Sequence, residues 1–424
     1  MRIGYLMQAD SVDMSEVSGP QVHVQSVVRG LERRGHKVRL LSIQQGQIQW
    51  CDDLLCWHAA RFGFSRSLLF RAVESVLRGL QSRLRLPFFR FFDSLRFADA
   101  CTLALADADV LYERYGLMNY GGLLAARRLG VPLVLEVNGD MVDEYGQKGI
   151  HLSRLQWVFI HVISRLMFAS ASHIVSVGEK LTEKLVSRWH ARPDKISLIV
   201  NGTDYDLFAA PRDADAVRTR FGLRAMPTVV YVGGFFQWHG LDMLLQAVHD
   251  LQAHGVDAQL VLIGDGPERE RMGGRAAALG LGERVVFTGL ITQAAVADIL
   301  AVADIAAAPY QNWTETTGMK IFDYMASGKA IVATSFDGQH TLLEHLRSGF
   351  LIQPGSQRQL TDAIETLLRG DDLRAQLGRN AQAKILHNFT WDHTAAKIEA
   401  VCNGAIGLRR APGAEPAQPA GERS

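Results

Sequence analysis

A short apolar strand running into a turn and a helix recurs along this chain, and the series starts twice. The first start is R-I-G-Y-L-M at 2–7, followed by a loop, a helix to about Arg34, a Gly35-His36 stop and a strand from Val38 to Ile43. A β-loop-α-β unit of this kind begins a doubly wound parallel sheet. The alternation resumes near Ala108 with D-V-L-Y-E-R-Y-G, a helix at 120–129, the strand P-L-V-L-E-V, a helix at 153–170, H-I-V-S-V, and a strand from Ile196 to Val200. A polar, proline-flanked stretch at 205–226 interrupts it. The second start is T-V-V-Y-V-G-G, followed by Q-L-V-L-I-G-D-G-P-E, V-V-F-T-G-L, a helix at 293–302, A-D-I-A-A-A-P-Y, and helices at 357–368 and 371–386. The predicted fold is α/β: two Rossmann-like doubly wound domains facing across a cleft, 1–204 and 205–390, then a closing helix at 391–405. The tail, 406–424, is rich in Pro, Ala and Gly and reads as disordered. A length of 424 residues also exceeds what one core holds.

A net charge of +1 supplies no drive toward nucleic acid. Cys51, Cys56, Cys101 and Cys402 form no C-x-x-C pair, which suggests a reducing compartment and no structural zinc. The N-terminal apolar run is too short for a signal peptide, and no stretch reaches the ~18 apolar residues of a membrane span. The expected location is the cytoplasm or the inner face of the plasma membrane. Residues 61–97 stand apart. Eight arginines (61, 66, 71, 78, 83, 85, 90, 96) face only Glu74 and Asp93, with apolar residues at helical spacing and Phe88, Phe89, Phe91 and Phe92 after Pro87. This segment reads either as an amphipathic membrane contact or as an excursion packed on its own domain.

The polar residues at strand ends are the candidate site, because ligands in open parallel sheets bind there. Asn138, Asp140 and Glu144 follow P-L-V-L-E-V. Ser18-Gly19 precedes the first helix, where it lets a phosphate approach the amides or serves only as a turn. The richest stretch is N-W-T-E-T-T-G-M-K-I-F-D-Y-M-A-S-G-K-A-I-V-A-T, 312–334. Thr316, Thr317 and Gly318 read as the start of a short helix, with Met319, Phe322 and Met325 or Ala326 facing a core. Free amides at a helix start beside Lys320 suit a phosphate. Glu315 and Asp323, separated by seven residues, can accept hydrogen bonds from sugar hydroxyls. The alternative is an ordinary charged surface helix.

Taken in order, S-G-P-Q-V-H, R-G-H-K-V, V-S-V-G-E-K-L, I-V-N-G-T-D, V-G-G-F-F-Q-W-H-G-L-D, L-I-G-D-G-P-E and E-T-T-G-M-K-I-F-D-Y-M-A-S-G-K-A-I-V-A-T resemble the retaining glycosyltransferases of family 4. The resemblance covers nearly all of residues 1–400. It implies the GT-B fold and a nucleotide-diphosphate sugar as co-substrate, held mainly by the second domain, with no metal. It implies that Glu315 touches hydroxyls of the donor sugar and Asp323 the ribose. The donor-binding set is Gly19, Gly234, His239, Gly266, Thr316, Thr317, Gly318, Met319, Lys320 and Asp323. The catalytic set is Glu315, Asn138 and Asp140.

This sequence departs from the family pattern in several places. Asp323 stands where the family has glutamate. Gly234 and His239 stand where it has the Arg and Lys that meet the pyrophosphate. Lys320 and the amides of 316–319 are the replacements at hand, and His239 is a cation if phosphate raises its pKa. Asn138 stands where many relatives have histidine. Trp238 is structural or stacks a ring. His23, alone at a helix start, reads equally as packing. The implied activity is sugar transfer to an acceptor hydroxyl in surface polysaccharide or glycolipid assembly, with a lipid-linked or polymeric acceptor. The competing readings are a degenerate protein that binds a nucleotide sugar or a partner without turnover, and a GT-B UDP-sugar epimerase.

Overall fold

The computed structural model describes residues 1–8, 12–15, 18–83, 90–147, 152–311, 318–335 and 342–410. Two sheets organise it. The first contains β1 (Arg2–Met7), β2 (Lys37–Gln44), β3 (Gln47–Cys51), β4 (His58–Ala59), β5 (Val110–Arg114), β6 (Leu133–Val137), β7 (His173–Ser176) and β8 (Ile196–Leu198), in the order β4-β3-β2-β1-β5-β6-β7-β8. The second contains β9 (Thr228–Val232), β10 (Gln259–Ile263), β11 (Val285–Gly289), β12 (Ile305–Ala308), β13 (Ala330–Thr334) and β14 (Phe350–Ile352), in the order β11-β10-β9-β12-β13-β14. Every neighbouring pair is parallel except β2–β3 and β3–β4. That antiparallel edge follows from Gln45 and Gly46, both at positive φ, which make the two-residue turn a tight hairpin needs.

Helices cover both faces of each sheet, so the central strands β12 and β13 are buried along their whole length. The order reverses between β1 and β5, and again between β9 and β12. These two switch points open crevices at the carboxyl ends of the strands.

The last helix, Trp391–Arg410, returns to the first domain. Trp391, Ala395, Ile398, Cys402 and Ala405 join the core beneath β1, β5 and β6. It passes the boundary expected at 405. The apolar spacing continues through Ala405 and Ile406, and the first proline beyond it is Pro412. Residues 411–424 lie outside the described residues.

The chain crosses between domains twice, and the crossings touch. Thr203 pairs with Thr390, the Thr203 amide donates to Phe389 O (3.0 Å), and the Trp391 amide donates to Thr203 O (3.2 Å). A Cβ on Gly202 would stand 2.5 Å from the Thr390 carbonyl carbon and the Trp391 nitrogen. Gly202→Ala must therefore push backbone against backbone. We expect a loss of about 1–3 kcal/mol, typical of overpacking, seen as a lower Tm by calorimetry. An unchanged Tm would contradict this junction packing.

Candidate active site

The two domains meet at the starts of two helices. Ser18 caps the helix Gly19–Arg33, its hydroxyl accepting from the Gln21 amide at 3.3 Å. Opposite lies the helix Met319–Ala326, which starts at Gly318 in the left-handed conformation (φ 59°) with no side-chain cap. Glu315, Thr316 and Thr317 lie outside the described residues, so the described part of this motif begins at Gly318. Ile321, Phe322, Tyr324, Met325 and Ala326 are buried in their own domain. Met319, expected to face that core, crosses the interface and packs against the first domain's core. A Cβ on Gly19 would lie 4.0 Å from its sulfur. Gly19 and Met319, far apart in sequence, therefore face each other.

Lys320 sits at the second switch point. Its Nζ donates to Tyr231 Oη at 2.9 Å and lies 4.1 Å from the Tyr231 ring centre and 5.0 Å from that of Tyr310. Tyr231 ends β9 and Tyr310 follows β12, so the ammonium group stands between the strands where the order reverses. No carboxylate pairs with it among the described residues. Burial pushes its pKa down from 10.5 to about 7.

The glycine loop after β9 is shaped around this lysine. A Cβ on Gly233 (φ 138°) would come within 2.6 Å of Lys320 Nζ. A Cβ on Gly234 would meet the Phe236 ring at 2.6 Å, and Phe236 stacks on Trp238 with ring centres 4.8 Å apart. The position of the family's arginine is thus closed by an aromatic pair. His239 is buried and its Nδ1 donates to Gly234 O at 2.5 Å. Burial and nearby Lys320 lower its pKa to about 3, although the bond to Gly234 opposes this. Without a bound phosphate the ring is neutral at neutral pH. Gly266 supports the loop from behind: a Cβ there would meet Phe235 N at 2.6 Å.

Asp323 points to the domain junction. Its Oδ1 accepts from Thr203 Oγ1 at 2.6 Å. Burial, opposed by the Thr203 bond and helped by Asp204, raises its pKa to about 7. The family resemblance expects a ribose contact at Asp323, and on that expectation Asp323→Ala should mainly raise the KM for the donor, as loss of uniform binding does. Steady-state kinetics checks this, and an unchanged KM would remove the ribose role.

In the first domain, the two residues of the expected catalytic set after β6, Asn138 and Asp140, differ. Asn138 keeps a buried Nδ2 with no partner among the described residues. Asp140 is already engaged. Its oxygens accept from the Val142 amide (3.1 Å), Arg188 Nη1 (3.0 Å) and Trp189 Nε1 (3.2 Å), an arrangement that starts the helix Met141–Gln147 and anchors it.

One cluster was not legible in the sequence. His23 Nε2 bonds Glu136 Oε1 at 2.6 Å, and Tyr5 Oη donates to Glu136 Oε2 at 3.1 Å. Burial would raise the Glu136 pKa, but His23, Arg114 and Tyr5 hold it down to about 2. This buried carboxylate bonds His23, which lies one helical turn after Gly19. Its sequence signal was a glutamate inside the otherwise apolar L-V-L-E-V.

Two family models match the chain, "Glycosyl transferase 4-like domain" over residues 18–202 and "Glycosyl transferases group 1" over 220–384. A similar relative is the D-inositol 3-phosphate glycosyltransferase of a Nocardioides species, 28% identical over 311 residues. That match covers 68% of this chain and 65% of the relative, so the chain spans about two thirds of the relative's length. Among solved structures, Anabaena Alr3699/HepE in complex with UDP superposes with a TM-score of 0.69 at 19% identity, covering 95% of this chain and 100% of that one. WaaG, a glycosyltransferase involved in lipopolysaccharide biosynthesis, gives 0.64 at 16% identity, covering 94% and 99%.

Proposed function

Because this chain belongs to the group 1 glycosyltransferases and has their GT-B fold, we propose that it transfers a sugar, with retention at the anomeric carbon, from a nucleotide-diphosphate sugar to an acceptor hydroxyl. The acceptor in this reading belongs to surface polysaccharide or glycolipid assembly and is met at the cytoplasmic face of the membrane. The observation that carries the donor assignment is Lys320: a cation with no carboxylate partner among the described residues, between two tyrosines, at the first turn of a helix and at a strand-order switch point.

In this reading Lys320 and the amides at the start of Met319–Ala326 hold the diphosphate, and Asp323 holds the ribose. Glu315 binds hydroxyls of the donor sugar. Gly233, with no side chain, leaves room for Lys320 Nζ beside the loop. As the anomeric C–O bond to phosphate breaks, negative charge grows on the leaving diphosphate. A fixed ammonium group and oriented amides stabilise that charge, taking the place a metal fills in other transferases. The acceptor oxygen bonds to the anomeric carbon from the same face, and its proton passes to the leaving diphosphate. Asn138 Nδ2, buried and without a partner among the described residues, is a first-domain donor available to a sugar or acceptor oxygen. A thermal-shift screen against UDP-, GDP- and ADP-sugars tests the assignment. One nucleotide class should raise Tm, and no response to any of them would contradict it.

A further inference from the structure

The helix Leu68–Arg83 is mounted inside out. Its less exposed positions are Phe70, Glu74, Arg78 and Gln81, at the i, i+4, i+8, i+11 spacing of one helix face. Glu74 is 8% exposed, whereas Leu69 is 75% and Val76 69% exposed. The polar stripe is held against the protein: Arg78 bonds Glu74 and Asp93, each at 2.9 Å, and Arg96 bonds Glu74. The apolar stripe, Leu69, Val73, Val76, Leu77 and Leu80, faces outward. An amphipathic helix on a globular domain normally shows the opposite arrangement.

A second helix, whose inward face is mainly apolar, also carries an exposed apolar stripe. Arg154–Ser170 buries Ile160, Met167 and Phe168 and leaves Leu155, Val158, Val162 and Leu166 exposed. The two helices share one side of the first sheet. Phe91–Ala104, which carries the ion-pair partners of the inverted helix, and Arg154–Ser170 contribute to the same core. Arg90, at the start of the former, and Gln156 and Ile160 of the latter line one recess.

Charge identifies what meets this side. Arg61, Arg66, Arg71 and Arg83 are exposed and form no ion pair among the described residues. Every carboxylate between 61 and 104 is bonded inward: Glu74 and Asp93 as above, and Asp99 to the Gly63 and Ser65 amides at 2.9 and 3.0 Å. No helix among the described residues is long and apolar enough to cross a membrane. We infer that the outward faces of Leu68–Arg83 and Arg154–Ser170 form a surface that seats the first domain on an anionic lipid bilayer, with the apolar stripes entering the headgroup boundary and the arginines meeting lipid phosphates. The surface rests on the proposed activity only in supplying the place where the acceptor is met.

The test is co-sedimentation of the full chain, without donor, with phosphatidylcholine vesicles and with equimolar phosphatidylcholine–phosphatidylglycerol vesicles. The anionic vesicles should bind at least ~10-fold more tightly. Leu69→Glu with Val76→Glu should lower that binding ~10-fold or more, as should Val158→Glu with Val162→Glu. Arg71→Glu with Arg83→Glu should remove the preference for anionic lipid. Leu290→Glu, at an exposed apolar residue of the second domain, should change nothing. The measurement needs no turnover, so a Lys320→Met protein that no longer binds donor must still bind vesicles. Two results overturn the inference. One is vesicle binding absent from the wild type or unaltered by the helix variants. The other is a wild-type dimer, seen by light scattering, that the Leu69/Val76 variant dissociates, which would assign the face to a second copy.

Discussion

Replacing Lys320 by methionine should lower kcat/KM for the donor by ~10²-fold and weaken nucleoside-diphosphate binding to a similar degree, while Tm changes little. A charge-assisted contact to a phosphate in a partly dry site is worth about 3 kcal/mol, which is ~10² in rate. Methionine keeps the length of the stem and can lie against Tyr231 and Tyr310, so the aromatic walls stay in place. Donor affinity should also depend on pH. The free protein holds the Lys320 pKa near 7 by burial, and a diphosphate binds the ammonium form and raises that pKa. Affinity is therefore full below pH 7 and falls as pH rises above it, by at most ~10-fold per pH unit for one proton. Asp323, also held near 7, titrates over the same range. Lys320→Arg separates the two, because a guanidinium stays charged and the lysine part of the profile flattens. Calorimetric titration with the nucleoside diphosphate from pH 6 to 9 measures this. A methionine variant that binds as the wild type does would remove Lys320 from the diphosphate site.

Glu315→Gln should lower turnover by ~10²-fold or more with the fold intact. Glu315 lies outside the described residues, so the case rests on its place in the family motif and its seven-residue separation from Asp323. The amide keeps size and loses charge. A contact to a donor-sugar hydroxyl that strengthens as positive charge develops at the anomeric carbon then weakens most in the transition state. The effect should appear in kcat more than in KM. Near wild-type turnover would take Glu315 out of the site.

The two-sheet architecture was readable because strand and helix periods in T-V-V-Y-V-G-G or A-I-V-A-T depend on local chain geometry. Gly318 was likewise legible as part of a helix start. What sequence periodicity does not carry is the identity of the partner. Met319 sits on an apolar stripe, yet its partner is the other domain. The stripe of Leu68–Arg83 was visible, but its outward direction depends on Arg96 and Asp93, which pull Glu74 and Arg78 inward. Likewise, the burial and the nearby Lys320 that lower the His239 pKa come from the fold and not from local spacing. The pairing of His23 with Glu136 joins positions 113 residues apart, which no local spacing encodes. Gly234, a departure from the family pattern, has a physical reason in the Phe236–Trp238 stack that closes its position.

The most direct test of the central claim is nucleoside-diphosphate release from UDP-, GDP- and ADP-sugars, measured for wild-type and Lys320→Met protein with membrane lipid extract as acceptor. One donor should be consumed by the wild type, with its sugar appearing on the acceptor in the donor's anomeric configuration, and the variant should be slower by ~10²-fold. Tight binding of a nucleotide sugar with no release from any donor, whatever the acceptor, would contradict the assignment.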